Sequence, residues 1–231
     1  MELDSKYPKI QTLYKRDNNG KIILGEYSMP EFETVRAWRV EEKVDGTNIR
    51  IGYHDRKITI KGRTDKADLE SMGVMSTLKA VAEGLVETLK SLGLQDESLT
   101  FYGEAFGGKI QKAGQLYSPD EIRFCLFDIY QSKRGWWSEE YLDQFTAEYL
   151  NWGKHHNYRI WSPPPIGVGH KSYRSFDLSE IPDLAKSRPE SKITYTHGQP
   201  IEGIIARPYD AMVYNRRGER VMFKLKCKDF N

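Results

Sequence analysis

Six short segments of this chain carry charged or aromatic side chains of the kinds that can act on phosphate groups. In chain order they are Lys43-Val44-Asp45-Gly46, Arg63-Thr64, Tyr102-Gly103-Glu104, Phe127-Asp128, Glu202-Gly203 and Lys224-Leu225-Lys226. An amine can attack a phosphate, cations can neutralise its charge, and carboxylates can hold a metal ion. Each segment taken alone also has an ordinary structural interpretation.

Lys43 is the candidate nucleophile. It lies in the run Glu42-Lys43-Val44-Asp45-Gly46-Thr47-Asn48, where one predicted strand turns into the next. An ordinary lysine has a pKa of about 10.4 and is almost fully protonated at neutral pH. Its use as a nucleophile therefore requires nearby cations or a metal ion that favour the neutral amine. The motif alone also fits a strand-end lysine before an Asp-Gly turn.

Arg63 and Glu104 are the next candidates. Arg63 follows a predicted strand, and its guanidinium group has the geometry to bind a phosphate through two hydrogen bonds, although a solvated basic turn is the alternative. Glu104 lies in a strand that is otherwise apolar. Burying a carboxylate there is costly unless a ligand hydroxyl, a metal ion or a basic side chain pairs with it, so a ligand and a structural ion pair both remain open.

The last three segments are strand-like. Phe127 belongs to an apolar strand and is either a core residue or an aromatic surface for a purine. Glu202 is a single carboxylate on an apolar strand, suited to a metal ion or an ion pair, and Gly203 allows another group to approach the backbone closely. Lys224 and Lys226 alternate, so both point to one face of a strand, where they meet either an anion or solvent.

Alternating apolar residues predict the strands that would position these side chains. The predicted strands cover residues 38–43, 48–53, 57–61, 99–106, 122–130, 201–207 and 221–228. Two helices are also predicted. Apolar residues at three- and four-residue steps from Leu78 to Leu92 indicate a helix over residues 76–92 that ends before Gly93, and a second helix runs from an N-cap at Ser138 to about residue 152. A third, over residues 178–186, is interrupted by Pro182.

This order of elements predicts an α+β fold of mostly antiparallel sheets with a few flanking helices. With 231 residues and 12% aromatic side chains the chain can bury the core of one good-sized domain, and we expect a single domain over residues 1–231 with no accessory C-terminal domain. The two cysteines, Cys125 and Cys227, lack metal-site spacing and are expected to be reduced and buried.

Composition narrows the class of protein only slightly. The chain carries 35 Lys and Arg against 33 Asp and Glu, a net charge of +2, so any surface for nucleic acid must be local. No run approaches the roughly 20 apolar residues that span a bilayer, and the N-terminus lacks a secretory signal. We therefore expect a soluble cytoplasmic protein with no membrane partner.

The ordered set of segments resembles the motif series of the covalent nucleotidyltransferases, which comprise DNA ligases, RNA ligases and capping enzymes. The series covers most of the chain, from Lys43 to Lys226. Three runs, KVDGTN from Lys43, YGEAFGGKIQ from Tyr102 and FCLFDI from Phe124, are similar to the RNA ligases of the phage nick-sealing type and their bacterial relatives. Family members usually continue beyond the Lys-x-Lys strand into another domain, whereas only five residues follow Lys226 here.

The resemblance implies an adenylation domain of the ligase type and a three-step reaction. Lys43 would attack the α-phosphate of ATP, release pyrophosphate and hold AMP through a phosphoramidate bond. AMP would then pass to the 5′-phosphate of an RNA, and a 3′-hydroxyl group would displace it and seal the strand. The implied cofactors are ATP and Mg²⁺, for which Mn²⁺ can substitute.

The resemblance also implies roles for the remaining segments. Glu42 would recognise adenine, Phe127 would stack on it and Glu104 would hold the ribose. Asn48 and Arg63 would contact phosphate. In the same way, Asp45 and Glu202 would position the metal ion, while Lys224 and Lys226 would grip the α-phosphate.

Three alternatives remain open from the sequence. A DNA ligase or an mRNA-capping guanylyltransferase would use the same lysine chemistry, and a non-catalytic module would bind a nucleotide or an RNA end without turnover. The N-terminal run YPKIQTLYKR interleaves Lys9, Lys15 and Arg16 with Tyr7 and Tyr14, which suits either RNA contact with base stacking or a solvated leader strand.

Overall fold

The computed structural model describes residues 4–153, 160–166, 175–209 and 211–230. The first strands are β1 (Gln11–Thr12), β2 (Tyr14–Arg16), β3 (Ile22–Tyr27), β4 (Trp38–Glu42), β5 (Thr47–His54) and β6 (Lys57–Gly62). They are followed by β7 (Leu99–Gly107), β8 (Ile122–Gln131), β9 (Gly135–Trp136), β10 (Ile160–Trp161), β11 (Gly203–Pro208) and β12 (Phe223–Lys226). The α-helices are α1 (Met75–Ser91), α2 (Gly114–Tyr117), α3 (Glu139–Gly153) and α4 (Ile181–Lys186), and 3₁₀ turns cover Pro30–Thr34 and Cys227–Phe230.

The chain forms two compact units. The first unit contains Met1–Tyr7 and Asp45–Ser162, and the second contains Pro8–Val44 and Pro163–Asn231. The boundary between Val44 and Asp45 lies inside the motif that carries Lys43. Some predicted site residues therefore belong to the first unit and others to the second.

The first unit is built on a sheet with the order β10-β8-β7-β5-β6. Strand β9 pairs with the C-terminal end of β8, at Tyr130 and Gln131. All its pairings are antiparallel except that of β10 with β8. Odd-numbered residues of β5, such as Ile49 and Ile51, enter a core that α1 and α3 cover. The opposite face carries Asn48, Arg50 and, on β7, Glu104, and we call it the polar face of the first sheet.

The helices of this unit confirm the sequence-based predictions. Leu78, Val81, Leu85 and Leu89 are buried along α1, whereas Leu92 lies beyond its end and is exposed. Gly93 adopts a φ of 69°, a left-handed conformation that favours glycine and ends the helix. Ser138 caps α3 by accepting a hydrogen bond from the Tyr141 N–H at 3.4 Å.

The second unit contains a sheet with the order β1-β12-β11-β4. Strands β4, β11 and β12 pair antiparallel, and β1 joins β12 in parallel. Trp38, Ile204, Phe223 and Leu225 face a buried core, so the alternate residues of the same strands lie on the other side. We call that side, which includes Lys224 and Lys226, the polar face of the second sheet.

A hairpin of β2 and β3 completes the second unit, and the sequence did not reveal it. Tyr14 is only 6% exposed, and its ring stacks on Tyr27 with centroids 5.7 Å apart. Lys15 and Arg16 remain near the surface in ion pairs with Glu26 and Asp229. Tyr14 is therefore a core residue, so its buried ring fits neither of the alternatives left open by the sequence, RNA base stacking or a solvated leader strand.

The predicted fold class is confirmed, since antiparallel sheets dominate and helices flank them. Cys125 and Cys227 are both reduced and buried, as expected. No α-helix among the described residues is both long enough and apolar enough to cross a membrane.

Candidate active site

Lys43 immediately follows β4 and is held at the edge of the second sheet. Its backbone N–H donates to the carbonyl of Gly203 at 2.9 Å, which continues the pairing of β4 with β11 by one residue. Its side chain is 22% exposed, and its ammonium group binds the carboxylate of Glu202. The candidate nucleophile is thus half-buried and paired.

Glu202 joins two lysines. One carboxylate oxygen accepts from Lys43, and the other accepts from the ammonium group of Lys226 at 2.6 Å. Burial raises the pKa of Glu202, but the charge of Lys43 and the hydrogen bonds from Lys226 and Lys43 outweigh it, so the pKa lies below its ordinary value. Glu202 is therefore ionised at neutral pH and places one anionic group between two amine side chains.

Strand pairing places these groups together. Gly203 of β11 lies opposite Lys226 of β12, and the Glu202 carbonyl accepts the Cys227 N–H at 3.0 Å. Because Phe223 and Leu225 enter the core, Lys224 and Lys226 both project to the polar face of the second sheet. The sequence left open whether these lysines meet solvent or an anion. The structure places Lys226 on an anion, the carboxylate of Glu202.

Gly203 is required where it stands. A Cβ atom added to it would lie 2.2 Å from the Leu225 carbonyl oxygen, closer than such atoms approach in folded proteins. β11 and β12 can therefore approach closely enough to bring Glu202 to Lys226 only because Gly203 has no side chain.

Glu42 is buried beside the nucleophile but points to the opposite side of β4. Its two carboxylate oxygens accept from the Ser191 hydroxyl at 2.6 Å and from the Lys192 N–H at 3.3 Å. Burial raises the pKa of Glu42 more than these two hydrogen bonds lower it. The carboxylate is thus engaged with the segment 191–193, a partnership that no sequence pattern indicated.

The remaining candidates belong to the first unit. Asn48 of β5 lies directly opposite Glu104 of β7, and both are half-buried on the polar face of the first sheet. Phe127 of β8 occupies a β-bulge, since Tyr102 pairs with Asp128 and Gly103 pairs with Leu126 while Phe127 has no opposite residue. Bulges redirect side chains, and this one leaves the Phe127 ring half-buried.

Asp45 and Arg63 flank β5 and β6. The backbone N–H of Asp45 donates to the Tyr117 hydroxyl at 3.1 Å, and the carbonyl of Gly46 accepts from Gln111 at 3.1 Å. A Cβ atom on Gly46 would lie 2.2 Å from the Ala105 carbonyl oxygen. Arg63 follows β6 and is exposed. The structure therefore brings together Lys43, Glu202 and Lys226 in one unit and Asn48 with Glu104 in the other.

The carboxylates of the candidate site offer oxygen donors but no cluster of metal ligands within the described residues. Within residues 4–153, 160–166, 175–209 and 211–230, no group of three or more His, Cys, Asp or Glu side chains could hold a metal ion. The Glu202 carboxylate is a hard oxygen donor of the type that Mg²⁺ and Mn²⁺ prefer, and Mg²⁺ commonly uses one or two carboxylates together with water and substrate phosphates. The donor chemistry therefore fits such an ion.

One family model matches most of this chain. The sequence model described as RNA ligase matches residues 36–226. Solved structures of RNA ligase from Naegleria gruberi share the fold. A variant with ATP and Mn superposes with a TM-score of 0.58 at 16% identity, covering 97% of this chain and 58% of that one.

A second variant of the same ligase, with AMP and Mn, has a TM-score of 0.58 and 17% identity over 99% of this chain and 60% of its own. The ligase with PPi has a TM-score of 0.56 and 15% identity over 97% and 62%. The chain thus spans about three-fifths of these ligases. No curated protein matches it.

Proposed function

This chain belongs to the RNA ligase family, and we propose that it is an ATP-dependent RNA ligase that works through an AMP group bound covalently to Lys43. The observation that carries the proposal is the cluster at the edge of the second sheet, where Lys43 and Lys226 share the carboxylate of Glu202. A nucleophilic amine and a second cation meet there at one anionic group.

In the first step the neutral amine of Lys43 attacks the α-phosphorus of ATP. A P–N bond forms, the P–O bond to pyrophosphate breaks, and the nitrogen loses one proton to solvent. Lys226 and Lys224 lie on the same face of the sheet and neutralise the negative charge that grows on the phosphates. The phosphates take over the role that Glu202 plays for the two amines in the free protein.

The contacts to the rest of the nucleotide are proposed for four further side chains. Glu104 accepts from the ribose hydroxyl groups, and Asn48, directly across the ladder from it, reaches a phosphate. Phe127 stacks on adenine from its bulge, and the exposed guanidinium group of Arg63 binds a phosphate of ATP or of the RNA end.

Glu42 is also proposed to take part in recognition of adenine. Its carboxylate is already held by Ser191 and Lys192, so its effect on the base depends on that segment as well. Asp45 and Glu202 would hold Mg²⁺ or Mn²⁺, which when bound supplies positive charge at the phosphates.

In the later steps AMP passes from Lys43 to the 5′-phosphate of an RNA, and the P–N bond breaks as a P–O–P linkage forms. A 3′-hydroxyl group then attacks the 5′-phosphorus, expels AMP and makes the phosphodiester bond. We further propose that residues 1–231 act as one nucleotidyltransferase domain in the cytoplasm.

The test is self-adenylylation. Purified protein, freed of bound AMP, is incubated with Mg²⁺ and with ATP or GTP labelled at the α-phosphate. Lys43→Ala is compared with Lys228→Ala, an exposed lysine on the Cys227–Phe230 turn. We expect label from ATP to remain on the denatured protein. It should be lost in Lys43→Ala and retained in Lys228→Ala.

The other outcomes separate the remaining candidates. Label from GTP alone would indicate a capping guanylyltransferase, and sealing of nicked DNA but not of RNA would indicate a DNA ligase. Absence of label from both nucleotides would contradict the proposed ligase activity and favour a non-catalytic binding module.

A further inference from the structure

The first described residues of the chain lie across the polar face of the first sheet. The Asp4 N–H donates to Thr100 Oγ1 at 3.1 Å, and the Asp4 carbonyl accepts from Arg50 at 2.7 Å. The Asp4 carboxylate accepts from Thr59 at 2.7 Å and lies 3.2 Å from His54 Nε2. These contacts come from three strands, so they fix the position of the segment.

Gly52 leaves space on the sheet for the carboxylate of Asp4. A Cβ atom on Gly52 would lie 1.8 Å from Asp4 Oδ1, so only glycine at this position of β5 admits the side chain. One residue further along, the Ser5 carbonyl accepts the Tyr102 hydroxyl at 2.8 Å. Residues 4–7 are therefore docked on the sheet rather than extended into solvent.

Tyr7 ends this docked segment and meets Phe127. The Tyr7 ring contacts Phe127 edge-on with centroids 4.9 Å apart, and it also packs on Tyr102 at 5.2 Å and Trp136 at 5.5 Å. Its hydroxyl donates to Asp128 Oδ2 at 2.5 Å. The ring and hydroxyl of Tyr7 are thus engaged with the protein.

We propose that Tyr7 is a positioning residue that holds the Phe127 ring in the orientation in which it receives the nucleotide base. The proposal rests on the proposed function, in which Phe127 stacks on adenine. It replaces the interpretation of Tyr7 as a base-stacking residue for RNA, because the ring already packs against three aromatic neighbours.

The physical reason lies in the bulge. Phe127 lies where the register of β8 with β7 shifts, and bulges redirect side chains away from the regular alternation of a strand. Edge-on packing against Tyr7 restrains the redirected ring, and a ring that is already oriented loses less conformational freedom when the base binds. Affinity for the base therefore depends on a residue that does not touch it.

The effect should be confined to the base. Lys43, Lys224 and Lys226, which are proposed to act on the phosphates, belong to the second unit. Asn48 and Arg63 are proposed to contact phosphate from the first unit, but neither is among the rings and the carboxylate that Tyr7 contacts above. Loss of the Tyr7 ring is expected to weaken binding of ATP and to spare binding of a ligand that has phosphates but no base. A general loss of folded structure would weaken both.

The experiment is equilibrium calorimetry in a Lys43→Ala background, where no AMP is transferred. Affinities for ATP and for inorganic tripolyphosphate are measured for Tyr7→Leu, Tyr7→Phe and, as a matched control, Tyr141→Leu, whose ring is 58% exposed. We expect Tyr7→Leu to weaken ATP between about twofold and tenfold, the range of one aromatic pair, while tripolyphosphate changes less than the ATP affinity does. Tyr7→Phe keeps the ring and should lie between Tyr7→Leu and the Lys43→Ala background.

Asp4→Ala provides a second route to the same result if Tyr7→Leu folds poorly. It keeps every ring of the aromatic cluster but removes the carboxylate that anchors the segment, so Tyr7 is held less firmly against Phe127 and the affinity for ATP should fall in the same selective way. Unchanged ATP affinity in both variants, or equal losses for ATP and tripolyphosphate, would overturn the proposal. Failure of the proposed ligase function would be detected separately, as the absence of label on the wild-type protein in the self-adenylylation assay.

Discussion

The ammonium group of Lys43 is bound to the carboxylate of Glu202. Since Lys226 occupies the other carboxylate oxygen, the free protein already holds an anion between the two amines that are proposed to meet the α-phosphate. In the proposed mechanism, the phosphates of the nucleotide would therefore replace the Glu202 carboxylate beside these amines.

Glu202 should contribute to stability in a pH-dependent way. Because its folded pKa lies below its ordinary value, its contribution is fully present above the unfolded pKa of about 4.3 and is lost as the pH falls through the folded value. Glu202→Gln removes this contribution. The difference in free energy of unfolding between wild type and variant, measured by denaturant titration, should shrink below about pH 4.3, and a difference that stays constant would contradict the ion-pair assignment.

Glu42 should show the opposite dependence. Burial raises its folded pKa, so the folded state binds more protons than the unfolded state between the two values. The free energy of unfolding should therefore fall as the pH rises from about 4.3 through the folded pKa, relative to Glu42→Gln. Melting temperatures of both proteins across this window provide the measurement, and parallel curves would show that Glu42 is not buried as an acid.

Lys226→Ala should impair self-adenylylation. The side chain lies on Glu202 beside Lys43, so its loss removes a cation from the place where charge grows on the α-phosphate. Loss of one preorganised group of this kind costs about 100-fold or more in rate. The rate of label transfer from ATP is the measurement, with Lys228→Ala as the control, and equal rates for the two variants would remove Lys226 from the site.

Gly203→Ala should damage both stability and activity. The new Cβ atom meets the Leu225 carbonyl, so β11 and β12 must separate, at a cost of about 1–3 kcal/mol. That movement also displaces Glu202 from Lys226. Gly218→Ala is the control: it meets no atom within 4 Å, and its φ of 75° costs about 1–2 kcal/mol at a turn. Only Gly203→Ala should lose adenylylation, which a label assay on the folded fraction would measure.

Local patterns predicted much of this structure. The alternation of Lys224 and Lys226 with Phe223 and Leu225 is a property of one strand, and the stripe along α1 is a property of one helix, so both were visible in the sequence. The order of motifs also indicated the family, which the match over residues 36–226 confirms.

What the sequence did not reveal depends on residues far apart in the chain. Ser191 meets Glu42 across 149 residues and Tyr7 meets Asp128 across 121, and neither contact leaves a periodic signal. The bulge at Phe127 was hidden because one extra residue in an apolar strand does not change its composition. Tyr14 was misread for a related reason, since its partner Tyr27 lies on a strand that was not predicted.

The parallel pairing of β1 with β12 constrains how the protein is made. Gln11 lies opposite Phe223, so β1 can pair with β12 only after all the residues between them have been translated. Until then the apolar side of that sheet has no complete core, and a chaperone would have time to bind it. Residues 45–162 are contiguous, so most of the first unit is translated well before β12 exists.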